Sequence, residues 1–270
     1  MRLFLLSATL LALVGCAAPQ LPGIRDRAPG DTHGIAQAEA VKQVSNTAKH
    51  LDDGKSIVYS QNFGGGGVGV GLLLGPLGVA ANVAMIDAVT KADVAKLFGR
   101  VKLDPIALFT EASNGTPLTL QTPGTAAVVR FTPYLLVVKV SESVLAPAAA
   151  LFVEAPAAAP GKTYTTKYVY QLSPQFSLDA LAGISDVQLA TLTDEAREAY
   201  RQLIAFYLRD SNQAVSREPK IVFKSAFMNP RFDYEMPGSL IEQAGPQVWV
   251  RSFGGVFAVP KAGISYTVQR

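Results

Sequence analysis

Apolar and polar positions follow two different periods along the chain, and the helical period is clearest in three places. Apolar residues at steps of three and four predict an amphipathic helix over residues 35–51. The same period covers residues 193–209, where acidic residues open the segment and Arg209 closes it, as the helix dipole favours. Asp104 and Pro105 have the cap and first-turn chemistry that begins a third, short helix.

Runs rich in β-branched and aromatic residues occupy most of the remaining chain and predict strands. Their short spacing predicts antiparallel pairing, and residues 146–160, rich in Ala and Pro, are interpreted as loops around one short strand. The fold class that follows is α+β: one domain over residues 35–270, in which an antiparallel β-sheet packs with several helices. The predicted strands are residues 56–63, 126–130, 134–142, 150–154, 162–172, 221–228, 232–236, 247–253, 256–259 and 264–268.

A glycine-rich apolar segment interrupts this pattern at residues 64–89. No charged residue occurs between Lys55 and Asp87. In one interpretation the segment is structural. A glycine loop leads into a helix that begins near Pro76, passes through the core and ends before Gly99, which suits the position after a helix.

Two functional interpretations of the same segment stay open. Gly67, Gly71 and Gly75 are spaced four apart, which resembles a glycine zipper and would let a second helix pack closely, in a membrane or by self-association. Residues 64–69 also satisfy GxGxxG, the spacing with which glycine backbone meets a phosphate at a helix N-terminus. A tract with this many glycines satisfies several such patterns by composition alone.

The N-terminus has the features of a secretory signal. Arg2 supplies a positive start, and the apolar run over residues 3–13 is shorter than the roughly 20 residues that span a bilayer. Residues 13–16 read Leu-Val-Gly-Cys, which resembles the lipobox of bacterial lipoproteins. The resemblance covers this signal alone and implies nothing about the body of the protein.

The lipobox resemblance implies a lipid anchor. Cleavage would occur before Cys16, with diacylglycerol on its sulfur and an acyl chain such as palmitate on the new amino group. Residues 1–15 would be the signal peptide, and residues 16–34, rich in Pro, Gly and charge, a lipidated flexible tether. In Gram-negative lipoproteins Asp after the cysteine implies inner-membrane retention, so Ala17 implies the outer membrane, with the body facing the periplasm.

Charge and cysteine content exclude several classes of protein. The formal net charge is +3, and loss of Arg2 with the signal peptide leaves +2. No basic stripe is visible in the sequence, so nucleic acid is not expected as a partner. Cys16 is the single cysteine, which excludes an internal disulfide. The lipobox resemblance implies one partner, the membrane, through lipid on Cys16.

Residues with catalytic potential are sparse. His33 and His50 are the two histidines, and neither has a second His or Cys nearby, so no metal site is predicted. No nucleophile turn is found, and no cofactor motif beyond the GxGxxG spacing at residues 64–69, so no catalytic residue or cofactor is assigned and an enzyme is not expected. Asp233 and Glu235 share one side of the predicted strand 232–236, where they form either an acid pair for glycan chemistry or a solvated face.

A ladder of tyrosines marks the predicted strand over residues 162–172. Tyr164, Tyr168 and Tyr170 share one face, and Lys167 falls on the other. Such a ladder could be a platform for a sugar or peptide ligand. Alternatively, the tyrosines pack under a helix, because strands commonly bury one apolar face.

These observations predict an envelope lipoprotein with a non-enzymatic structural or protein-interaction role at the outer membrane. It would act on an envelope protein partner or through self-association. The alternative is a binding module for an envelope glycan or lipidic ligand, using the tyrosine face or a pocket under the sheet. An enzyme that acts on the cell wall is the third hypothesis.

Overall fold

The computed structural model describes residues 30–36, 47–61, 75–122, 124–157, 161–210, 217–230 and 234–269, with the backbone alone for residues 75–81. Among these described residues, the strand fraction exceeds the helix fraction, at 38% against 29%. The described helices are α1 (Gly75–Leu97), α2 (Pro105–Ser113), α3 (Leu178–Ala182) and α4 (Asp186–Arg209). The described strands are β1 (His33–Ile35), β2 (Ala48–His50), β3 (Ile57–Ser60), β4 (Val129–Lys139), β5 (Leu145–Pro156), β6 (Thr163–Gln171), β7 (Lys220–Lys224), β8 (Met236–Ala244), β9 (Gln247–Ser252), β10 (Gly255–Pro260) and β11 (Ser265–Val268).

All eleven described strands belong to one sheet. Its order is β11-β7-β8-β9-β10-β6-β5-β4-β3-β2, and β1 pairs with the first residues of β4. β5 occupies one edge of β4, so β1 and β3 divide the other edge between them. The pairs β1–β4, β3–β4 and β6–β10 are parallel, and the remaining pairs are antiparallel. The sheet is therefore mixed.

The predicted fold class, an antiparallel sheet packed with helices, is wrong. Short spacing between strands indicates only how consecutive strands pair, whereas parallel neighbours need a long crossover. β3 reaches β4 through a connection that contains α1 and α2, and β6 reaches β10 across α3, α4 and three strands. β1 likewise reaches β4 only after β2, β3, α1 and α2. None of the three parallel pairs therefore leaves a local signal in the sequence.

The predicted helix over residues 35–51 is also wrong at both ends. Ile35 belongs to β1, which pairs with β4, and Ala48–His50 form β2, which pairs with β3. Residues 37–46 lie outside the described part of the chain. Strands of three residues depend on their neighbours for hydrogen bonds, so tertiary pairing overrides the helical period at these positions.

The Ala- and Pro-rich stretch interpreted as loops is mostly strand β5, which lies between β4 and β6 in the sheet. Nearly every residue of β5 is buried, so the strand shows no polar–apolar alternation. Pro147 fits here because its carbonyl accepts from Leu172 N at 2.9 Å. Its nitrogen faces the same edge, at the end of the ladder with β6, so the missing N–H interrupts no pairing.

The core has one part on each face of the sheet. The first cluster lies under the helices and includes Phe109 of α2 and Tyr200 and Phe206 of α4. The second cluster, on the opposite face, contains no residue from the described helices. Ser60 of β3 and Pro237 of β8 border one cavity on this second face.

The sheet is strongly curled. β3 and β8 are six steps apart in the strand order, which is about 29 Å in a flat sheet. Residues of both strands nevertheless line one cavity of about 410 Å³. The curl therefore brings β3 and β8 toward each other across the second cluster.

Candidate functional site

The face of the sheet without helices holds an open cavity of about 410 Å³, which we call the Lys167 cavity. Its lining comes from β3, β4, β6, β8 and β10, from the end of β9 with the β9–β10 turn, and from residues 227, 228, 230 and 234. The lining residues are Ser60, Leu136, Val138, Lys167, Phe227, Met228, Pro230, Tyr234, Met236, Pro237, Ser252, Phe253, Gly254 and Phe257.

The lining is mainly apolar, with aromatic and methionine side chains. Tyr234 is 54% exposed and Phe253 is 41% exposed, so these two rings mark the side on which the cavity opens to solvent. Ligand pockets usually measure about 300–1,000 Å³ and combine an apolar lining with a few polar groups. The Lys167 cavity meets both conditions.

Lys167 is the one charged residue among the described lining residues. Its Nζ lies 5.2 Å from the ring centroid of Phe257, a cation–π contact. No carboxylate of the described residues forms an ion pair or hydrogen bond with it, and burial lowers the pKa of this lysine below its usual value. The ammonium group is therefore partly desolvated, and no anion compensates it in the described structure.

The alternation of β6 explains how this lysine reaches the cavity. Tyr168 points to the first cluster, under α4, whereas Val169 belongs to the second cluster. Lys167 shares the face of Val169 by the period of two, and it lies opposite Phe152 of β5. The sequence thus places Lys167 on the polar face of its strand. In the structure, the curled sheet covers that face.

Two glycines allow close backbone contacts around the cavity. Gly255, the first residue of β10, has φ +120°, and a Cβ there would lie 2.2 Å from the Lys167 carbonyl oxygen. A Cβ on Gly238 would lie 2.5 Å from the Arg251 carbonyl oxygen and 2.8 Å from Phe223 Cε1. Neither position has room for a side chain. These contacts hold β10 against β6 and β8 against β9.

A buried ion cluster fixes the end of α4 to β9. Arg251 Nη2 lies 2.7 Å from Asp210 Oδ1 and 2.9 Å from Glu218 Oε1. Tyr168 also donates to Asp210, and Ser239 donates to Glu218. Burial raises the pKa of Asp210, while the Arg251 bond opposes that rise. Every charge of this cluster has a partner of opposite sign, which is typical of a structural role.

A second buried group joins α1 to the sheet. Lys139 Nζ lies 2.9 Å from Asp93 Oδ2, and the Tyr59 hydroxyl donates to the same oxygen at 2.5 Å. Burial and the Asp93 bond together hold the pKa of Tyr59 far above its usual value. This lysine, unlike Lys167, has a carboxylate beside it.

The three tyrosines of the ladder differ in how deeply their side chains are buried. Tyr168 is 2% exposed and contacts Phe206 and Tyr207 of α4, with ring centroids 5.9 and 6.2 Å apart. Tyr164 and Tyr170 are partly buried and pack against the same cluster. Tyr168 thus occupies the place under a helix that the core interpretation gives it.

Several residues named by the sequence lie outside the described chain. They include Cys16, Gly67, Gly71 and Asp233. Gly75 is the first residue of α1. The structural interpretation of the glycine segment predicts the extent of this helix, because α1 spans Gly75–Leu97 and Gly99 follows it with φ +69°. The predicted passage of the helix through the core is wrong for its described side chains, because Val83 is 40% and Met85 is 50% exposed.

The remaining candidate residues do not come together. Glu235 is exposed and precedes β8, which begins at Met236. The predicted strand 232–236 is therefore wrong at Glu235. His33 Nε2 lies 3.2 Å from the Tyr207 hydroxyl, and neither ring nitrogen of His50 has a described hydrogen-bond partner. Within the described ranges, no group of three His, Cys, Asp or Glu side chains could hold a metal ion.

Comparison with protein-family models, with curated proteins and with solved structures finds no match to this chain. Of the helices in the described ranges, none combines the length and the apolar character that crossing a membrane requires.

Sequence reasoning missed the Lys167 cavity as a set of residues. The "pocket under the sheet" had no residues assigned to it, because its lining comes from strands and turns that are distant in the chain. The available signal was a lysine within an otherwise uncharged aromatic strand, at residues 163–171. That signal is ambiguous, because a lysine on a solvated strand face has the same sequence.

Proposed function

We propose that this protein is a lipid-anchored, non-enzymatic envelope protein of the outer membrane, and that its periplasmic body binds an amphipathic, lipidic ligand in the Lys167 cavity. The anchor and location rest on the lipobox resemblance at Cys16 and on Ala17. The binding role rests on one observation: an open, apolar cavity of ligand size contains a single uncompensated cation among its described lining residues. A role through an envelope protein partner or self-association stays a prediction from the sequence.

The apolar lining supports a lipidic ligand over a glycan. Sugars are bound through many hydrogen bonds, whereas this lining offers few polar side chains: Ser60, Ser252, Tyr234 and Lys167 among those described. Ser252 already accepts from Gly254 N at 3.2 Å. Burial of apolar groups contributes about 0.8 kcal/mol per CH₂, so a hydrocarbon chain gains affinity from such a lining.

Dye binding tests the cavity directly. The full chain with Cys16→Ser, purified without detergent, is titrated with N-phenylnaphthylamine, a neutral apolar dye that fluoresces when it leaves water. We expect saturable binding. Leu136→Trp, which fills the cavity, should weaken binding at least tenfold, whereas Ile106→Trp, on the exposed side of α2, should leave it unchanged.

Cooperative thermal unfolding of each variant shows whether it is folded. Met228→Trp, in the turn at residues 225–230, fills the same cavity from its other side and serves if Leu136→Trp does not fold. Absence of saturable dye binding by the chain with an unaltered cavity contradicts the proposed binding role. Equal binding by both filling variants contradicts the assignment to this cavity.

Cell fractionation tests the anchor separately. The unaltered protein should stay in the membrane fraction after a carbonate wash, and Cys16→Ser should move to the soluble periplasmic fraction. Retention of Cys16→Ser in the membrane would show a second anchor, for which residues 64–86 are the candidate by sequence.

A further inference from the structure

We infer that the ligand is a fatty-acid-like anion: an acyl chain with a single carboxylate, whose head group pairs with Lys167 Nζ while its tail occupies the apolar lining. This inference rests on the proposed function, because it names the ligand of the same cavity. It follows from the charge, the donors and the lining, which are considered in turn.

The charge of the cavity matches one negative group. Lys167 is the one charged side chain among the described lining residues, and Phe257 covers one side of it. In apolar surroundings an ammonium group without a counter-ion is costly, so a bound anion that compensates it is strongly favoured. A second negative charge on the ligand would be left uncompensated by these residues.

The donors favour a carboxylate over a phosphate. Phosphate sites in proteins commonly use arginine forks or several converging N–H groups. The described lining contains no arginine, and Ser60, Ser252 and Tyr234 are its only hydroxyl donors beside Lys167. One ammonium group with a small number of hydroxyls suits a carboxylate, which needs fewer donors.

The rest of the lining suits a flexible hydrocarbon chain. Phe227, Met228 and Met236 present polarisable, adaptable surfaces, and methionine fills irregular space around chains of different shape. Each CH₂ added to the ligand should raise affinity about fourfold until the tail exceeds the cavity. A ligand with the head group alone, such as acetate, should not bind measurably.

Competition with the bound dye tests this inference. At neutral pH, dodecanoate, dodecanol and dodecyl phosphate, each below its micelle-forming concentration, displace N-phenylnaphthylamine from the full chain with Cys16→Ser. Because a charge-assisted hydrogen bond is stronger than a neutral one, we expect dodecanoate to bind about tenfold or more tightly than dodecanol. Dodecyl phosphate should bind no more tightly than dodecanoate.

Lysine variants locate the head group. Lys167→Met should bring dodecanoate to the affinity of dodecanol, with each affinity calculated from the dye affinity of that same variant, and Lys167→Arg should keep the preference for the acid. Lys162→Met removes an exposed positive charge just before the same strand and should change nothing. The lysine variants also separate binding at the cavity from nonspecific attraction to a positive surface.

The outcomes distinguish this inference from the proposed function. Dye binding with equal affinities for dodecanoate and dodecanol overturns the inference and leaves the proposed function standing. Tighter binding of dodecyl phosphate than of dodecanoate overturns the carboxylate assignment. An acid preference that survives Lys167→Met overturns the role of Lys167. Loss of all dye binding by the unaltered cavity overturns both proposals.

Discussion

The two faces of the sheet differ in whether their cations have a carboxylate partner. On the helix face, Lys139 is bonded to Asp93, and Arg251 is bonded to Asp210 and Glu218. On the opposite face, Lys167 has an aromatic ring beside it and no carboxylate among the described residues. All three cations lie on strands of one sheet, and they differ in whether a carboxylate of the described residues is bonded to them.

The difference separates structural charges from a binding charge. A buried charge with a partner holds elements together, and removal of one partner leaves the other uncompensated. A desolvated charge without a partner lowers stability, and proteins commonly retain such groups where function requires them. The following variants test whether this distinction between the two faces is correct.

Arg251→Met should have the largest effect. It leaves Asp210 and Glu218 buried and without their cation, so we expect a loss of about 4–5 kcal/mol in the free energy of unfolding, measured by urea denaturation. Arg201→Met removes an exposed pair with Glu198 and should change stability by less than about 0.5 kcal/mol. Similar effects of the two variants would show that the Arg251 cluster does not stabilise the fold.

Lys139→Met should cost about 3 kcal/mol, because Asp93 keeps the Tyr59 bond but loses its cation. The double variant Lys139→Met, Asp93→Asn should recover part of that loss, since the uncompensated charge is gone. Urea denaturation measures both. A Lys139→Met protein as stable as the unaltered one would remove the contrast between the two faces.

Gly255→Ala should cost about 2–3 kcal/mol, because its backbone lies at φ +120° and the new Cβ meets the Lys167 carbonyl oxygen. Gly245→Ala is the matched control. It lies in the neighbouring β8–β9 turn at φ +55° with no atom within 4 Å, so only the strain of about 1 kcal/mol applies. If both variants lose the same stability, the contact between β10 and β6 is not tight.

Lys167→Met should have the smallest effect and the opposite sign. Replacement of a desolvated ammonium by an apolar side chain of similar length should raise the free energy of unfolding by about 0.5–1 kcal/mol at neutral pH without ligand. A loss of stability comparable to that of Lys139→Met would place Lys167 in a structural pair and break the comparison.

The pH dependence gives this prediction a second measurement. The folded-state pKa of Lys167 is lowered by burial, so the unfolded chain binds its proton more tightly. The stability cost of Lys167 is complete below the folded pKa and disappears as pH rises toward the usual lysine pKa of 10.5. The stability difference between Lys167→Met and the unaltered protein should therefore shrink over that range. A difference that stays constant contradicts the lowered pKa.

Segments with local signals were predicted from the sequence, and segments that depend on distant partners were not. The short helix α2 has the predicted cap, since Asp104 Oδ1 accepts from the backbone N–H groups of Ile106 and Ala107. α4 has the predicted apolar face but begins earlier, at Asp186, where Ser185 and Gln188 form a capping box. The capping-box residues can be recognised in the sequence, but they lie before the first residue of the apolar period.

β8 shows why other elements escaped prediction. It spans Met236–Ala244, mixes polar and apolar residues, and has a register shift between Leu240 and Glu242. Its strand conformation comes from pairing with β7 and β9 on its two edges. A bulge disturbs the period of two, so the sequence of β8 does not resemble a regular strand.

The sequence by itself determined the lipobox resemblance at Cys16, the bounds of α1 and α2 and the apolar face of α4, because caps and helical periods involve residues within a few positions of each other. Only the tertiary structure decided the parallel pairs, the curl of the sheet and the surroundings of Lys167. Lys167 and Phe257 meet because β6 and β10 are neighbours, although helices and strands separate them in the chain. Whether a lysine on a strand faces water or an apolar cavity depends on what covers that face of the sheet. Here β8 and the turns beside it cover Lys167, and they belong to the same sheet.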